Sequence, residues 1–245
     1  MLPKTHQVLY SFKPDKPRVP ASLTKLGNAL VMTSLPINWD RLVRLTSADE
    51  VGGGRLRVNT GAKMSMRDLL YSAITASANN AATALARLSG LSRRQFIARM
   101  DAAVKKVGAT HTSYADPSGM DPRNLTTARD IALIAEAAFR QPMIRSAASS
   151  ATYRFTVVNT GQKKVLTNTN HLLTQSPDVW VVGGKTGYLE ESQYNLAVQV
   201  RPIDGNGNPV YGKDLIVVVM GSPYKEGVFQ TARRLAMWAW ENHEF

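Results

Sequence analysis

The chain has 245 residues, 44% of them hydrophobic, and no cysteine, which excludes disulfides, thiol catalysis and cysteine-ligated zinc. Thirty Lys and Arg against 18 Asp and Glu give a net charge of +12, which favours anionic surroundings such as nucleic acid, lipid surfaces or acidic envelope polymers. No dense basic run, zinc-finger or RNA-recognition signature accompanies that charge, so nucleic-acid binding is not expected. No apolar run is long enough to span a bilayer, and the opening MLPKTHQVLY does not resemble a signal peptide.

The N-terminal part of the chain predicts one short strand and one buried helix. Residues 6–12 (HQVLYSF) are β-rich and mostly apolar, and two prolines in residues 13–17 (KPDKP) then break the run, which predicts a strand followed by a turn. Residues 22–32 (SLTKLGNALVM) carry no charge except that of Lys25. Because a helix that is apolar all round is usually buried, this one is predicted to run through the core.

The next segment predicts irregular structure and then a helix. Residues 42–46 and 55–59 are strand candidates on either side of a flexible VGGG. Ser65 and Asp68 have the spacing of a capping box, in which each side chain bonds to the backbone N–H of the other residue. The sequence therefore predicts a helix that begins at Ser65.

Two more helices are predicted after it. Ser92 and Gln95 repeat the capping-box spacing, and Gly108 is placed to end that helix. The segment TTARDIALIAEAAFRQP, residues 126–142, has the apolar period of a third helix, which Pro142 is predicted to stop.

After the third helix the pattern changes to strands, with a turn in DGNGNP at residues 204–209. The run Leu215–Met220 is apolar on both faces and is therefore predicted to be a central strand that is covered on both sides. Residues 227–242 are amphipathic and predict a final helix. The predicted strands lie at 153–158, 164–169, 179–187, 193–200 and 214–220.

This order of elements predicts an α/β (α+β) fold, in which helices pack on a sheet and an all-helical segment is inserted. No linker or repeat divides the chain. We therefore predict one domain over 1–245, with a helical subdomain at about 48–148.

Ser22 stands three positions before Lys25 in PASLTKL, and this spacing has two interpretations. Ser22 is either a helix cap, with Lys25 on a solvated face, or a nucleophile beside its base. A chain of this length contains roughly one Ser-x-x-Lys by chance, and a second copy joins Ser222 to Lys225. Pro223 follows Ser222 and no companion motif lies after it, so the second copy is predicted to be a turn or cap.

Two further motifs lie downstream of Ser22 and decide between the interpretations. Ser77 and Asn79, in SAN, lie at a predicted helix junction, and Lys185–Gly187, KTG, lies at the end of a predicted strand. Chance predicts well under one Lys-Thr-Gly in this length. The three motifs, in this order on a helix, a helix junction and a strand, are those of penicillin-binding proteins and class A β-lactamases.

On these motifs the chain resembles the low-molecular-mass penicillin-binding proteins of the D-alanyl-D-alanine carboxypeptidase and endopeptidase family. The segments VPASLTKL, LLYSAITASANNAATALA, DPSGMDP, TNTNHLL and GGKTGYLEESQYNLAV all fall as they do in that family. The resemblance implies a penicillin-recognising serine transferase fold, with an antiparallel sheet flanked by helices and an all-helical insert. The first sheet strand is expected to be missing or short, and the C-terminal β-domain of some carboxypeptidases and an export signal are expected to be absent.

Ser22 and Lys25 are the predicted catalytic pair. At the helical spacing i and i+3, their side chains share a face and meet at hydrogen-bond range. Burial disfavours a charged ammonium group, and Lys185 nearby would repel it, so both effects are predicted to lower the pKa of Lys25. The neutral amine that results can take the serine proton, which makes Ser22 the nucleophile and Lys25 its base.

The two polar side chains of the SAN motif have different predicted roles. Ser77 can relay a proton to the leaving amine, and is counted with Ser22 and Lys25 as catalytic. Asn79 offers both a donor and an acceptor, which suits it to a substrate amide and to holding Lys25.

The KTG motif is predicted to bind substrate. Lys185 and Thr186 supply a charge and a hydroxyl for a terminal carboxylate, and Gly187 lets a peptide backbone lie against the strand edge. The resemblance also implies an oxyanion hole formed by the backbone N–H groups of Ser22 and Tyr188.

The predicted function is a serine D,D-peptidase of the bacterial envelope or periplasm that cleaves D-Ala-containing peptidoglycan stem peptides or cross-links through an acyl-enzyme. Its expected partners are stem peptides, β-lactams as covalent inhibitors and anionic envelope polymers. Two alternatives stay open, namely a class A-like β-lactamase and a non-catalytic wall-binding or polyanion-binding module. No cofactor or metal is expected, because the four histidines lie far apart without metal-ligand spacing.

The carboxylates argue against the β-lactamase. Class A enzymes use a glutamate to activate the deacylating water, yet no glutamate lies between Glu50 and Glu136. Asp116 and Asp121 each lie beside a proline in predicted turns, although in the family the segment Asp116–Gly119 lies near the site. We therefore predict that a penicilloyl group leaves Ser22 slowly, whereas an acyl group from a D-Ala-D-Ala peptide turns over.

Overall fold

The computed structural model describes all residues, 1–245, as eight α-helices and seven strands. None of the helices is both long enough and apolar enough to cross a bilayer. The helices are α1 Thr24–Ser34, α2 Met66–Ile74, α3 Asn79–Leu88, α4 Arg93–Lys106, α5 Ala128–Arg140, α6 Pro142–Ser149, α7 Leu172–Gln175 and α8 Lys225–Asn242. The strands are β1 Leu42–Arg44, β2 Lys63–Ser65, β3 Thr152–Thr156, β4 Lys163–Thr167, β5 Val179–Leu189, β6 Gln193–Pro202 and β7 Leu215–Ser222.

The main sheet has three antiparallel strands in the order β5-β6-β7, and β1-β2 and β3-β4 form two small antiparallel sheets. The prediction that Leu215–Met220 is central is wrong, because β6 is central and β7 lies at an edge. The beginning of β7 is nevertheless covered on both faces, as predicted. Ile216 packs into the core that contains α5, and Val217 packs into the core under α8. Helices on both faces make an edge strand as apolar as a central one.

Helix α1 runs through the larger of two apolar cores, as its composition predicts. Leu26 and Met32 are completely buried there. The smaller core lies on the other side of the main sheet, where Val228 and Phe229 of α8 pack against it. The short 3-10 turn Ala21–Leu23, which leads into α1, lies against β5, and this contact positions the residues that carry the chemistry.

The two predicted capping boxes are confirmed. Ser65 and Asp68 form a capping box at α2, and Ser92 and Gln95 form one at α4. Helix α5 ends two residues before Pro142, as predicted, but that proline also begins α6, which the sequence analysis did not predict. Proline suits the first turn of a helix because its missing N–H would have no partner there.

Two predicted strands, at residues 6–12 and 55–59, are absent. Residues 6–12 form no strand; at that end of the chain the backbone of Met1 exchanges two hydrogen bonds with Ile216 of β7. Residues 55–59 form no strand because the side-chain amide of Asn80 binds both the N–H and the carbonyl of Leu56, at 2.9 and 3.0 Å. A side chain thus supplies the bonds that a neighbouring strand would have made.

An antiparallel sheet flanked by helices, with the run α2–α6 between β2 and β3, agrees with the predicted fold class. The subdomain boundaries at about 48–148 stay a prediction.

Candidate active site

Ser22 lies in a short 3-10 turn, Ala21–Leu23, that leads directly into α1. Ala21 has φ 49, in the left-handed region where a residue with a side chain is strained. The turn leaves Ser22 half-buried and reachable. Nζ of Lys25, in the first turn of α1, lies 2.6 Å from Oγ of Ser22. The structure therefore brings the predicted nucleophile and base into hydrogen-bond contact.

The ammonium group of Lys25 is buried, and it has two further acceptors. Oδ1 of Asn79 lies at 2.7 Å and the carbonyl oxygen of Ser118 at 2.6 Å. Burial lowers the pKa of Lys25 to about 7, although the charge of Asp116 acts in the opposite direction. A neutral amine keeps two N–H bonds, enough for Asn79 and Ser118, and its lone pair can then accept the hydroxyl proton of Ser22.

Ser77 lies between α2 and α3 with φ 60, a second strained residue of the site. Nζ of Lys185, which is buried in β5, lies 2.8 Å from Oγ of Ser77 and 2.9 Å from the carbonyl oxygen of Thr186. Burial lowers the pKa of Lys185 well below its usual value, and the charge of Lys25 lowers it further. The repulsion between the two lysines thus depresses the pKa of Lys185, whereas the sequence analysis expected it to act on Lys25.

Asn79 begins α3 and connects the site to the glycine-rich segment VGGG. Its backbone N–H donates to the carbonyl of Gly54 at 2.7 Å, and its Nδ2 donates to the carbonyl of Gly52 at 2.9 Å. A Cβ at Gly53 would lie 2.7 Å from that Nδ2. Glycine is therefore needed where this segment passes the amide that holds Lys25.

Two glycines let backbone segments lie against the turn that carries the nucleophile. A Cβ on Gly187 would lie 3.1 Å from the backbone nitrogen of Ser22. Gly119 has φ +90, and a Cβ there would overlap the carbonyl oxygen of Ala21. Strand β5 consequently passes directly beside Ser22, with Tyr188 as its next residue.

The segment 116–121 takes a part in the site that was not predicted from the sequence. Asp116 is buried and accepts hydrogen bonds from the backbone and hydroxyl of Ser118, from the backbone of Gly119 and from Nδ2 of Asn124. Burial would raise the pKa of Asp116, but these bonds outweigh that effect and hold it below the usual value. The carboxylate therefore fixes the loop that presents the Ser118 carbonyl to Lys25. The string DPSGMDP was the available signal.

Thr169 is another residue that sequence reasoning missed. Its Oγ1 lies 2.5 Å from Oγ1 of Thr186, the residue whose backbone carbonyl accepts a hydrogen bond from Nζ of Lys185. Hydroxyls and an ammonium group are donors that can bind a carboxylate. The string TNTN, which contains Thr169, was the available signal.

The second Ser-x-x-Lys was predicted to be a turn or cap, but Ser222 lies in a strand and Tyr224 is the N-cap of α8. Ser222 ends β7, and its hydroxyl donates to the carbonyl of Tyr224 at 2.9 Å. Lys225 begins α8. No three His, Asp or Glu side chains converge as metal ligands anywhere in the chain.

Comparison with curated proteins finds similar chains among D-alanyl-D-alanine peptidases. The D-alanyl-D-alanine endopeptidase of Escherichia coli strain K12 is 30% identical over 237 residues, which is 96% of this chain and 73% of that protein. The D-alanyl-D-alanine carboxypeptidase DacF of Bacillus subtilis strain 168 is 30% identical over 204 residues, which is 80% of this chain and 51% of that protein.

Solved structures and a family model point to the same group of peptidases. A penicillin-binding protein homologue from Mycobacterium tuberculosis superposes with a TM-score of 0.85 at 26% identity, covering 98% of this chain and 89% of that one. The Streptomyces K15 DD-transpeptidase gives 0.83 at 25% identity, covering 95% and 92%. These matches confirm the predicted fold, and a family model described as D-alanyl-D-alanine carboxypeptidase matches residues 2–223. The chain belongs to the D-alanyl-D-alanine carboxypeptidase family of serine peptidases.

Proposed function

We propose that this enzyme is a D,D-peptidase that cleaves D-Ala peptide bonds in peptidoglycan stem peptides or cross-links through an acyl-enzyme on Ser22. The observation that carries the proposal is the 2.6 Å contact between Nζ of Lys25 and Oγ of Ser22, at a lysine whose pKa is about 7. A base with a pKa near the working pH is effective because a large fraction of it is neutral. The names of the relatives from Escherichia coli and Bacillus subtilis support the substrate class.

In the acylation step, Oγ of Ser22 attacks the carbonyl carbon of the scissile amide while its proton passes to Nζ of Lys25. The backbone N–H groups of Ser22 and Tyr188 bind the developing oxyanion. As the C–N bond breaks, Ser77 gives a proton to the leaving amine and takes one back from Lys185, which lies 2.8 Å away. The step ends with an ester on Ser22, a charged Lys25 and a neutral Lys185.

In the deacylation step, water attacks the ester carbon, and its proton passes through Ser77 to the neutral Lys185. The C–O bond breaks, and Ser22 recovers its proton from Lys25. These transfers return the pair to the state in which acylation began, with Lys25 neutral and Lys185 charged, a state that a substrate carboxylate beside Lys185 favours. The two lysines share one proton throughout. The lowering of the Lys185 pKa by the charge of Lys25 supports this sharing, because it disfavours two protons on the pair.

The substrate is bound by residues of β5 and their neighbours. Lys185, Thr186 and Thr169 form the proposed subsite for a terminal carboxylate, whose negative charge would offset the burial of the charged Lys185. Gly187 lies on β5, an edge strand of the main sheet, so a substrate backbone can add to that edge. Asn79, which already holds Lys25, completes the substrate-binding set by meeting the substrate amide.

The carboxylates near the site give no support to a class A-like β-lactamase. Glu50 accepts a bond from Asn80 at 2.9 Å, Asp116 is occupied by the loop that it fixes, and Asp121 pairs with Arg123 at 2.6 Å. None of these groups is free to activate a deacylating water. We therefore expect penicillins to act as slowly released covalent inhibitors.

The place of action follows from the substrate. Peptidoglycan lies outside the cytoplasmic membrane, so we propose that the enzyme works in the bacterial envelope. Its net charge of +12 favours retention by anionic polymers there.

The test combines penicillin labelling with digestion of purified muropeptides. We expect one penicilloyl adduct by intact mass on the wild type and none on Ser22→Ala. We also expect the wild type to release D-Ala from pentapeptides or to split cross-linked dimers, with fragments identified by mass. Ser222→Ala is the matched control, because it removes the serine of the other Ser-x-x-Lys, and it should label and digest as the wild type does.

Two results would oppose the proposal. An adduct that persists in Ser22→Ala would reject the nucleophile. Rapid multi-turnover hydrolysis of penicillin, with D-Ala-D-Ala peptides left intact, would show a β-lactamase instead.

A further inference from the structure

A polar groove of about 920 Å³ lies beside the active site, and none of the groups assigned above uses it. One wall is the segment 53–62, between β1 and β2, and the other is residues 157–162, the connection between β3 and β4. The walls carry two arginines, Arg55 and Arg57, with neutral amides and hydroxyls between them, and no acidic side chain.

One end of the groove is continuous with the site. Ala76 lines the groove and immediately precedes Ser77. Gly53 and Gly54 line it too, and they lie against the site: a Cβ on Gly53 would be 2.7 Å from Nδ2 of Asn79, and one on Gly54 would be 3.7 Å from the carbonyl of Ser77. The groove therefore begins one residue from Ser77, the proposed proton donor to the leaving amine.

The charge of the groove is largely unneutralised. Arg57 is exposed and takes part in no ion pair, and Arg55 is exposed with a single long contact to Glu50 at 3.4 Å. Nζ of Lys164 donates to the carbonyl of Arg57 at 2.8 Å, which brings a third cation to the same wall. Guanidinium groups among neutral hydrogen-bonding side chains suit a peptide that carries carboxylates.

We propose that this groove binds the second stem peptide of a cross-link, with its carboxylates on Arg57 and Arg55, and that the enzyme acts as an endopeptidase. The inference rests on the proposed peptidase function. When the leaving group is a single D-Ala, it ends at the carboxylate subsite of Lys185. When the bond is a cross-link, the leaving amine belongs to a second peptide, which needs a path away from Ser77, and the groove provides that path.

The test compares two purified substrates, a cross-linked muropeptide dimer and a monomeric pentapeptide muropeptide. The readout is the ratio of kcat/KM for the dimer to kcat/KM for the monomer. Losing a charge-assisted hydrogen bond lowers this ratio by about tenfold in Arg57→Gln, and by more in the Arg55→Gln, Arg57→Gln double variant. Arg57→Lys restores part of the ratio. Arg94→Gln, which changes an exposed arginine of α4, leaves it unchanged.

A measurement on the wild type keeps the test independent of whether the variants fold. The wild-type ratio should fall as salt rises, because the exposed arginines are screened. An unchanged ratio in a double variant that still acylates with penicillin, a salt-independent wild-type ratio, or a wild type that cleaves only the monomer would each overturn the groove assignment and leave the proposed peptidase intact. A wild type that cleaves neither substrate would overturn the proposed function itself.

Discussion

The charge of Lys25 lowers the pKa of Lys185, and each of these two lysines is only 1% exposed. Water cannot screen the two ammonium groups from each other, so the pair holds one proton more readily than two. Asp116 is the carboxylate whose charge acts on Lys25, and it favours a proton there. A substrate carboxylate beside Lys185 would favour a proton on that lysine instead, which leaves Lys25 as the base.

The rate of acylation should rise with pH through about 7. Acylation needs neutral Lys25, and the pKa of Lys25 is about 7. Below that value the proton returns to the amine, so the second-order rate constant for penicillin acylation should fall about tenfold per pH unit. Stopped-flow labelling over a pH series measures this, and a rate that is flat down to strongly acidic pH would contradict it.

Replacing the two lysines should have different effects. Lys25→Ala removes the base and should lower the acylation rate by about 10²–10⁴-fold. Lys185→Ala removes carboxylate recognition and the support of Ser77, so slower acylation should survive. The measurement is the rate at which one penicillin acylates each variant. If Lys25→Ala were acylated as fast as the wild type, the role of Lys25 as the base would be refuted.

Gly119→Ala should abolish acylation. The new Cβ would overlap the carbonyl oxygen of Ala21, and the positive φ of Gly119 would be strained as well. Gly90→Ala is the matched control: Gly90 has φ +84 but no heavy atom within 4 Å of a Cβ, so this variant carries strain of about 1 kcal/mol and no clash. Acylation and melting temperature are measured together. If both variants lost acylation equally, the close approach of Gly119 to Ala21 would not explain the effect.

Asp116→Asn should shift the pH dependence of acylation and weaken the fold. Removing this charge removes the effect that raises the pKa of Lys25, so the acid limb of the rate profile should move to lower pH. Loss of a charged acceptor for Ser118 and Asn124 should also cost about 2 kcal/mol of unfolding free energy. The control is Asp121→Asn, whose exposed pair with Arg123 should leave the acid limb in place. If the acid limb of the rate profile did not move in Asp116→Asn, the charge of Asp116 would not be acting on Lys25.

Binding to intact sacculi should weaken as salt rises. The net charge of +12 acts across the solvent, where salt screens it. The Ser22→Ala variant separates this binding from acylation, and the bound fraction is measured by pelleting the sacculi at about 0.05 and about 0.5 M NaCl. Binding that does not change with salt would contradict this role of the net charge.

Local patterns in the sequence determined two of the helix starts and the set of candidate catalytic residues. The capping boxes at Ser65 and Ser92 were predictable because their partners lie three residues away. The burial of α1 followed from its composition. Ser22, Lys25 and the other motifs were recognisable because their spacing and order along the chain are distinctive. The distances between their side chains in space could not be predicted in this way.

Only the tertiary structure decided which distant groups meet. It puts Asn80 in place of a partner strand for Leu56, and β7 at an edge of the sheet. It also brings the Ser118 carbonyl, 93 positions from Lys25 along the chain, within 2.6 Å of that lysine. Contacts between residues so far apart leave no local period or spacing in the sequence. They depend on how helices and sheet pack, which is why the pKa of Lys25 and the groove beside Ser77 became visible only in the folded chain.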